Sequence, residues 1–326
     1  MSGLIDVHHH VVPPAYRRHL RELGIDSGGV PVAPWSPEAA LAVMDRAGID
    51  SALLSVSAPG VNLPGREGEA ARLARLVNEY AAGVRESRPD RFGFLASLPL
   101  AEGMGAARRE LEHALGTLGA DGVMLMSNHL GVYLGDELFR PLWAALDEHA
   151  ATVLVHPIRT SALMVPGIPY PMVDFPHDTT RTAVHMALNR VLSTHPRVRV
   201  ILAHGGGHLP YAVARFAALA PIMAEPRVTA ETLTEELRAF RFDTALVGPE
   251  ALRTLLAFAR PGHVVYGSDW PYLPDSVGAE FRTVLALHES PPGTDRVRTV
   301  AREAAEGLFP RFARVTAARG GSATTP

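Results

Sequence analysis

The sequence predicts an α/β fold, a (β/α)8 TIM barrel with insertions in its rim loops. Three observations predict it. Eight short runs rich in Val, Ile and Leu recur along the chain. Amphipathic stretches with helical spacing separate them, the alternation that builds a parallel sheet. No glycine-rich dinucleotide fingerprint follows the first run, where histidines stand instead. That sets the closed barrel ahead of an open, doubly wound sheet.

The elements follow in order. The first strand is read at 4–7. A loop rich in Gly and Pro, 24–35, leads to a helix at 37–47, with Ser36 as its N-cap and Pro37 at its first position. The second strand is 52–56, followed by a second such loop at 61–68. The helix at 70–87 carries Leu73, Ala74, Val77, Ala81 and Val84 at near-helical spacing and stops before Pro89. Then come a strand at 92–97, a helix at 106–118, a strand at 122–126, a helix at 139–148 and a strand at 152–155. A third Gly/Pro loop, 160–175, precedes the helix at 179–192. The sixth strand is 198–203, with helix 211–219; the seventh is 240–244, with helix 249–259; the eighth is 263–267, with helix 280–287. One barrel domain over 1–318 accounts for all of this. The small, polar stretch 319–326 reads as a disordered tail.

Composition excludes several chemistries. The 326 residues carry 31 basic and 34 acidic side chains, a formal charge of −3. That near balance gives no electrostatic case for nucleic acid or an anionic membrane. Cysteine is absent, so disulfides, thiolate zinc sites and thiol nucleophiles are excluded. Lysine is absent too, which removes Schiff bases, a Walker A lysine and a carbamylated lysine bridging two metals. The chain opens without a basic leader or long apolar run, and no run approaches the ~20 residues of a membrane span. A soluble, cytoplasmic protein is expected.

Against these absences stand 15 histidines. Strand ends in a barrel share one mouth, and four of them carry metal-competent or acid–base groups. The first strand runs into His8-His9-His10. The fifth ends at His156, the sixth at His204 followed by three glycines, and the eighth at Gly267-Ser268-Asp269-Trp270-Pro271. Period-two alternation puts His8 and His10 on one face and His9 on the other. Singly, each has a plainer reading: a loose histidine run, a satisfied core histidine, a helix N-cap. Together, three neutral imidazoles and a carboxylate suit one divalent ion, zinc first and manganese second, with a coordination position left open. The remaining histidine would then be an acid–base group beside the metal.

These motifs carry a family resemblance. The H-x-H of the first strand, the single His of the fifth, H-G-G-G after the sixth and G-S-D-W-P after the eighth resemble the amidohydrolase superfamily. Within it the chain is similar to the aminocarboxymuconate-semialdehyde decarboxylase branch, and nearest to the 6-methylsalicylate decarboxylase type. The segments 5–14, 54–60, 78–82, 174–183, 204–211 and 261–271 support this. The resemblance implies that His8, His10, His156 and Asp269 bind the metal and that His204 is the catalytic histidine. It implies that Arg215 binds substrate carboxylate in a neighbouring subunit's site, hence a homodimer. One departure stands out: the loop 24–35 lacks the arginine that the muconate-semialdehyde enzymes carry there. That favours a monocarboxylic aromatic acid.

The activity expected is non-oxidative, metal-dependent decarboxylation of an ortho-hydroxy aromatic acid, with no organic cofactor. His204 or Asp269 would protonate the ring carbon. A metal-dependent hydrolase of a lactone, ester or amide is the alternative on the same site, and a non-catalytic metal-binding protein the third. His129, His177, His208 and Trp270 are pocket candidates. Asp243 is a candidate partner for a ligand histidine, and Asp178 and Arg181 are candidate supporting groups.

Overall fold

The computed structural model describes residues 3–159, 165–288, 290 and 295–313. Its main sheet contains all eight expected strands: β1 Leu4–His10, β2 Ile49–Ser55, β3 Phe92–Ala96, β4 Gly122–Met126, β5 Thr152–His156, β6 Arg199–Leu202, β7 Arg241–Asp243 and β8 Val264–Val265. They lie in sequence order, each parallel to the next. The barrel closes between its ends. Val7 N donates to Tyr266 O at 3.0 Å, Asp269 N to His8 O at 2.9 Å and His10 N to Trp270 O at 2.7 Å.

Alternation along the strands makes two cores. Ile5, Val7, Leu53, Leu95, Met124, Leu154, Ile201 and Val265 point into the barrel, where Leu308, Phe309 and Phe312 from the C-terminal helices pack against them. The other faces meet the surrounding helices through residues such as Leu54, Phe94, Val153, Leu202 and Phe242. β7 is the exception: its inward position is Asp243, a buried carboxylate.

The helices Pro37–Ala47 and Ala70–Ser87 occur as expected, and the Ser36 hydroxyl accepts from Ala39 N at 3.2 Å. Others differ. The helix expected at 179–192 runs Tyr170–Leu188, so it starts inside the stretch read as rim loop. Pro169 and Pro171 flank its first turn, where a missing N–H is harmless, and Pro176 sits inside it. Arg190 takes a left-handed φ of 54° and ends it; a separate turn follows at Val191–Thr194. The helices Pro14–Glu22, Ala230–Ala239 and Arg296–Arg298 with Ala304–Leu308 were not expected. Nor was the hairpin pairing Asn128–His129 with Val132–Tyr133, whose turn residues Leu130 and Gly131 both have positive φ. The expected tail, 319–326, and part of the third loop, 160–164, lie outside the described residues. Among the described residues no helix is long and apolar enough to cross a membrane.

Candidate metal centre

The site begins with an irregularity in β1. Asp6 is opposite Ala52 but His9 is opposite Leu54, so β1 spends one extra residue against β2. This bulge breaks the alternation set by inward Ile5 and Val7. It turns His8 and His10 into the barrel mouth and His9 outward, where its ring stacks on Trp270 at 4.9 Å and 27°. The extra turn is tied down by Asp6. Its buried carboxylate accepts from His8 N at 3.1 Å, His9 Nδ1 at 2.9 Å, Ser268 N at 3.0 Å and Ser268 Oγ at 2.6 Å. One side chain therefore fixes β1 to the segment that carries Asp269.

The inward groups converge. His8 Nε2 and His10 Nε2 are 3.0 Å apart, and Asp269 Oδ1 is 3.0 Å from His10 Nε2 and 3.3 Å from His8 Nε2. The His156 ring lies 5.1 Å from that of His8 and 5.0 Å from that of His10. One ligand atom each from His8, His156, His204 and Asp269 fall within 4.8 Å of one another. Gly267 makes room for this approach: a Cβ there would lie 2.8 Å from His8 Cβ.

Hydrogen bonds on the far side of each ring set its tautomer. His10 Nδ1 faces Ser55 O at 3.2 Å, and His156 Nδ1 faces Pro157 O at 2.8 Å. A carbonyl only accepts, so each Nδ1 carries the proton. His8 Nδ1 donates to Asp243 Oδ2 at 2.6 Å. In their neutral forms all three Nε2 atoms then present lone pairs to one point. Two lone pairs 3.0 Å apart repel unless a cation lies between them, and that spacing suits two nitrogens sharing one ion at about 2.0–2.1 Å each. The residues fit a divalent metal.

The electrostatics agree. Burial pulls the His8 imidazole down, but Asp243 and Asp269 outweigh it and push it up to about 10. Burial lowers His10, and burial with neighbouring imidazoles holds His156 well below its usual value. Burial would raise Asp269, yet the imidazoles of His10, His204 and His8 around it keep it well below the usual carboxylate range. Without an ion, a proton on His8 Nε2 takes the cation's place between His10 Nε2 and Asp269; an ion that displaces it would meet three imidazole lone pairs and ionised Asp269.

His204 approaches from the end of β6 with a left-handed φ of 55°. Its N–H donates to Asp243 Oδ1 at 2.8 Å, so Asp243 orients His8 and anchors His204 together. Its Nε2 lies 3.4 Å from Asp269 Oδ2, and among the described residues its buried Nδ1 has no hydrogen-bond partner. The glycines that follow are forced by packing: a Cβ on Gly207 would lie 2.1 Å from Pro176 O.

A cavity of about 600 Å3 has Val61, Leu63, Leu98, Leu100 and Met124 among its walls; it takes in none of the clustered side chains and adjoins them through Ile158, two residues after His156. Met126, in its lining, is the register partner of His156. His129 lines it too. Trp270, His177 and Arg215 do not: Trp270 packs on His9 outside the barrel wall, His177 pairs its ring with His208 at 4.5 Å, and Arg215 is exposed on the helix Leu209–Met223. Asp178 supports the wall. It accepts from Ser127 Oγ, from Tyr133 OH at 2.8 Å and from Asn128 Nδ2 and Ile158 N at 3.3 Å, while Arg181 donates to Tyr133 OH at 2.9 Å. Three residues near the site escaped the sequence reading. Asp6 was legible as a carboxylate inside an apolar run. Tyr272, whose ring lies 5.5 Å from that of His10, extends the G-S-D-W-P motif by one residue. Arg159 gave no signal beyond following His156-Pro157.

Comparison with known proteins agrees with this geometry. Residues 5–311 match a family described as amidohydrolase. The chain is 40% identical over 316 residues to a 6-methylsalicylic acid decarboxylase of Penicillium expansum, covering 94% of this chain and 96% of that one. A solved amidohydrolase II superposes with TM-score 0.86 at 29% identity, over 94% of this chain and 100% of that one. The dihydroxybenzoic acid decarboxylase of Polaromonas sp. JS666, solved with manganese and 2-nitroresorcinol, shares the fold at TM-score 0.78 and 19% identity, over 95% and 97%.

Proposed function

The chain belongs to the amidohydrolase family, and from that premise we propose that it is a metal-dependent, non-oxidative decarboxylase. Its substrate is an ortho-hydroxy aromatic carboxylic acid of the 6-methylsalicylate type, and its products are CO2 and a phenol. The observation that carries the reading is the convergence of three Nε2 lone pairs and the Asp269 carboxylate beside an apolar cavity. The chain has no lysine to bridge a second ion, and a decarboxylase of that acid is its 40% identical relative.

His8, His10, His156 and Asp269 would hold one divalent ion, zinc first by donor set and manganese second. When bound, the ion supplies Lewis acidity toward the carboxylate and the neighbouring phenolic oxygen. The protein's own groups do the rest. His204 Nε2 and Asp269 Oδ2 hold the proton delivered to the ring carbon that bears the carboxylate. The C–C bond then breaks, its electron pair restores the ring, and CO2 leaves. No electron is lost or gained, so no organic cofactor is called for. The apolar walls keep water from the carboxylate, and His129 contacts the ring from the hairpin. Arg215 lies outside the cavity of its own chain. Its role needs a cytoplasmic homodimer in which it enters the partner's cavity. Trp270 and His177 make no substrate contact in this reading.

The test is product analysis. Metal-loaded protein incubated with salicylate-type acids in 18O-water should give CO2 and an unlabelled phenol in equal amounts. No CO2 from the acids, with 18O entering the products of a lactone, ester or amide panel, would establish the hydrolase instead.

A further inference from the structure

We infer that Arg159 is the cation that receives the substrate's carboxylate as it turns out of the ring plane. The inference rests on the decarboxylase reading and adds a residue to it.

Four observations carry it. Among the described residues Arg159 is the one arginine lining the cavity. Its guanidinium lies over the ring of buried Tyr170, 5.2 Å from the centroid. Stacking on an aromatic face holds the planar fork while leaving its in-plane N–H groups free for a carboxylate. Among the described residues no carboxylate pairs with it, whereas Arg75 is paired with Glu110 and Arg311 with Asp121. Its backbone is also anchored in the cavity wall. Arg159 follows His156 by three residues, and Ile158 N between them donates to Ser127 Oγ and to Asp178, each at 3.3 Å. Three extended residues span at most roughly 10 Å, so the two backbones lie within that distance.

The chemistry requires such a cation. Protonating the ring carbon makes it tetrahedral, and the bond to the carboxylate must stand across the ring plane for its electron pair to re-enter the ring. The carboxylate therefore leaves the plane shared with the phenolic oxygen while still carrying its charge. In an apolar cavity that charge needs a partner, and Arg159 supplies one. When the bond breaks the charge passes to the ring and is cancelled by the added proton, so neutral CO2 leaves the guanidinium unchanged.

Arg159→Gln and Arg159→Lys test this. With the wild type, calorimetric affinities for a salicylate-type acid and for the corresponding phenol are measured on metal-loaded protein, alongside kcat and KM. Arg159→Gln should lower kcat tenfold or more and weaken acid binding, and leave phenol affinity and metal content unchanged. Arg159→Lys should restore part of the acid affinity. Unchanged acid affinity in Arg159→Gln, or equal losses for acid and phenol, would overturn the assignment. So would a selective loss of acid binding in Arg215→Gln but not in Arg159→Gln. If the wild type binds acids but releases no CO2, the decarboxylase reading fails by itself, and the affinity comparison still decides the role of Arg159.

Discussion

The seam where β8 meets β1 and the cavity beside it are built on opposite principles. Around the seam the buried carboxylates are filled: Asp6 takes four hydrogen bonds, and Asp243 takes His8, His204 and Ala245. The cavity has a few polar groups on an apolar wall drawn from loops and strand ends. The first arrangement fixes atoms within tenths of an ångström, as a metal demands. The second fixes a shape and leaves the choice of ligand to few contacts. One region sets the chemistry and the other sets the substrate, so substitutions in the two should fail differently.

The largest effect belongs to the seam. His8→Ala should lose both bound metal and turnover, read by elemental analysis and CO2 release. Full metal occupancy in that variant would break the contrast. His204→Asn should keep its metal and lose ~10²–10⁴-fold in kcat, the usual weight of a proton-transfer group. Loss of metal in step with rate would move His204 into the ligand set. Asp243→Asn should weaken metal affinity ~10–100-fold, as removal of a ligand's hydrogen-bond partner does, measured by competition with a chelator. The smallest effect lies in the cavity. Leu98→Ala should leave metal content alone and change the ranking of ring-substituted acids by kcat/KM about tenfold, the scale of a few methylenes in an apolar pocket. An unchanged ranking would place the substrate elsewhere.

The same contrast explains what was legible in the sequence. The eight strands and the helices Pro37–Ala47 and Ala70–Ser87 declared themselves through apolar periodicity and, for the first of these helices, a cap. His8, His10, His156, His204 and Asp269 were legible because barrel topology gathers strand ends at one place. The bulge in β1 was not, because a one-residue slip leaves no mark in composition. Without it, the inward run of Ile5 and Val7 would have pointed His9 at the metal. The cavity resisted for a different reason. Arg159, Asp178 and the hairpin at Asn128–Tyr133 come together through contacts between loops and one helix, and no local pattern encodes that. Trp270 shows the same limit: its place beside Asp269 suggested the pocket, but an odd-numbered step along the chain turns its ring onto His9.

The central claim is that one ion, held by three imidazoles and Asp269, serves a decarboxylation. The most direct measurement strips the protein with a chelator, reloads it with zinc or manganese in steps, and follows CO2 release from 6-methylsalicylate against metal bound per chain. The account predicts no turnover in the stripped protein and a linear rise that ends at one ion per chain. Turnover without metal, or a rise that continues to two ions, would contradict it.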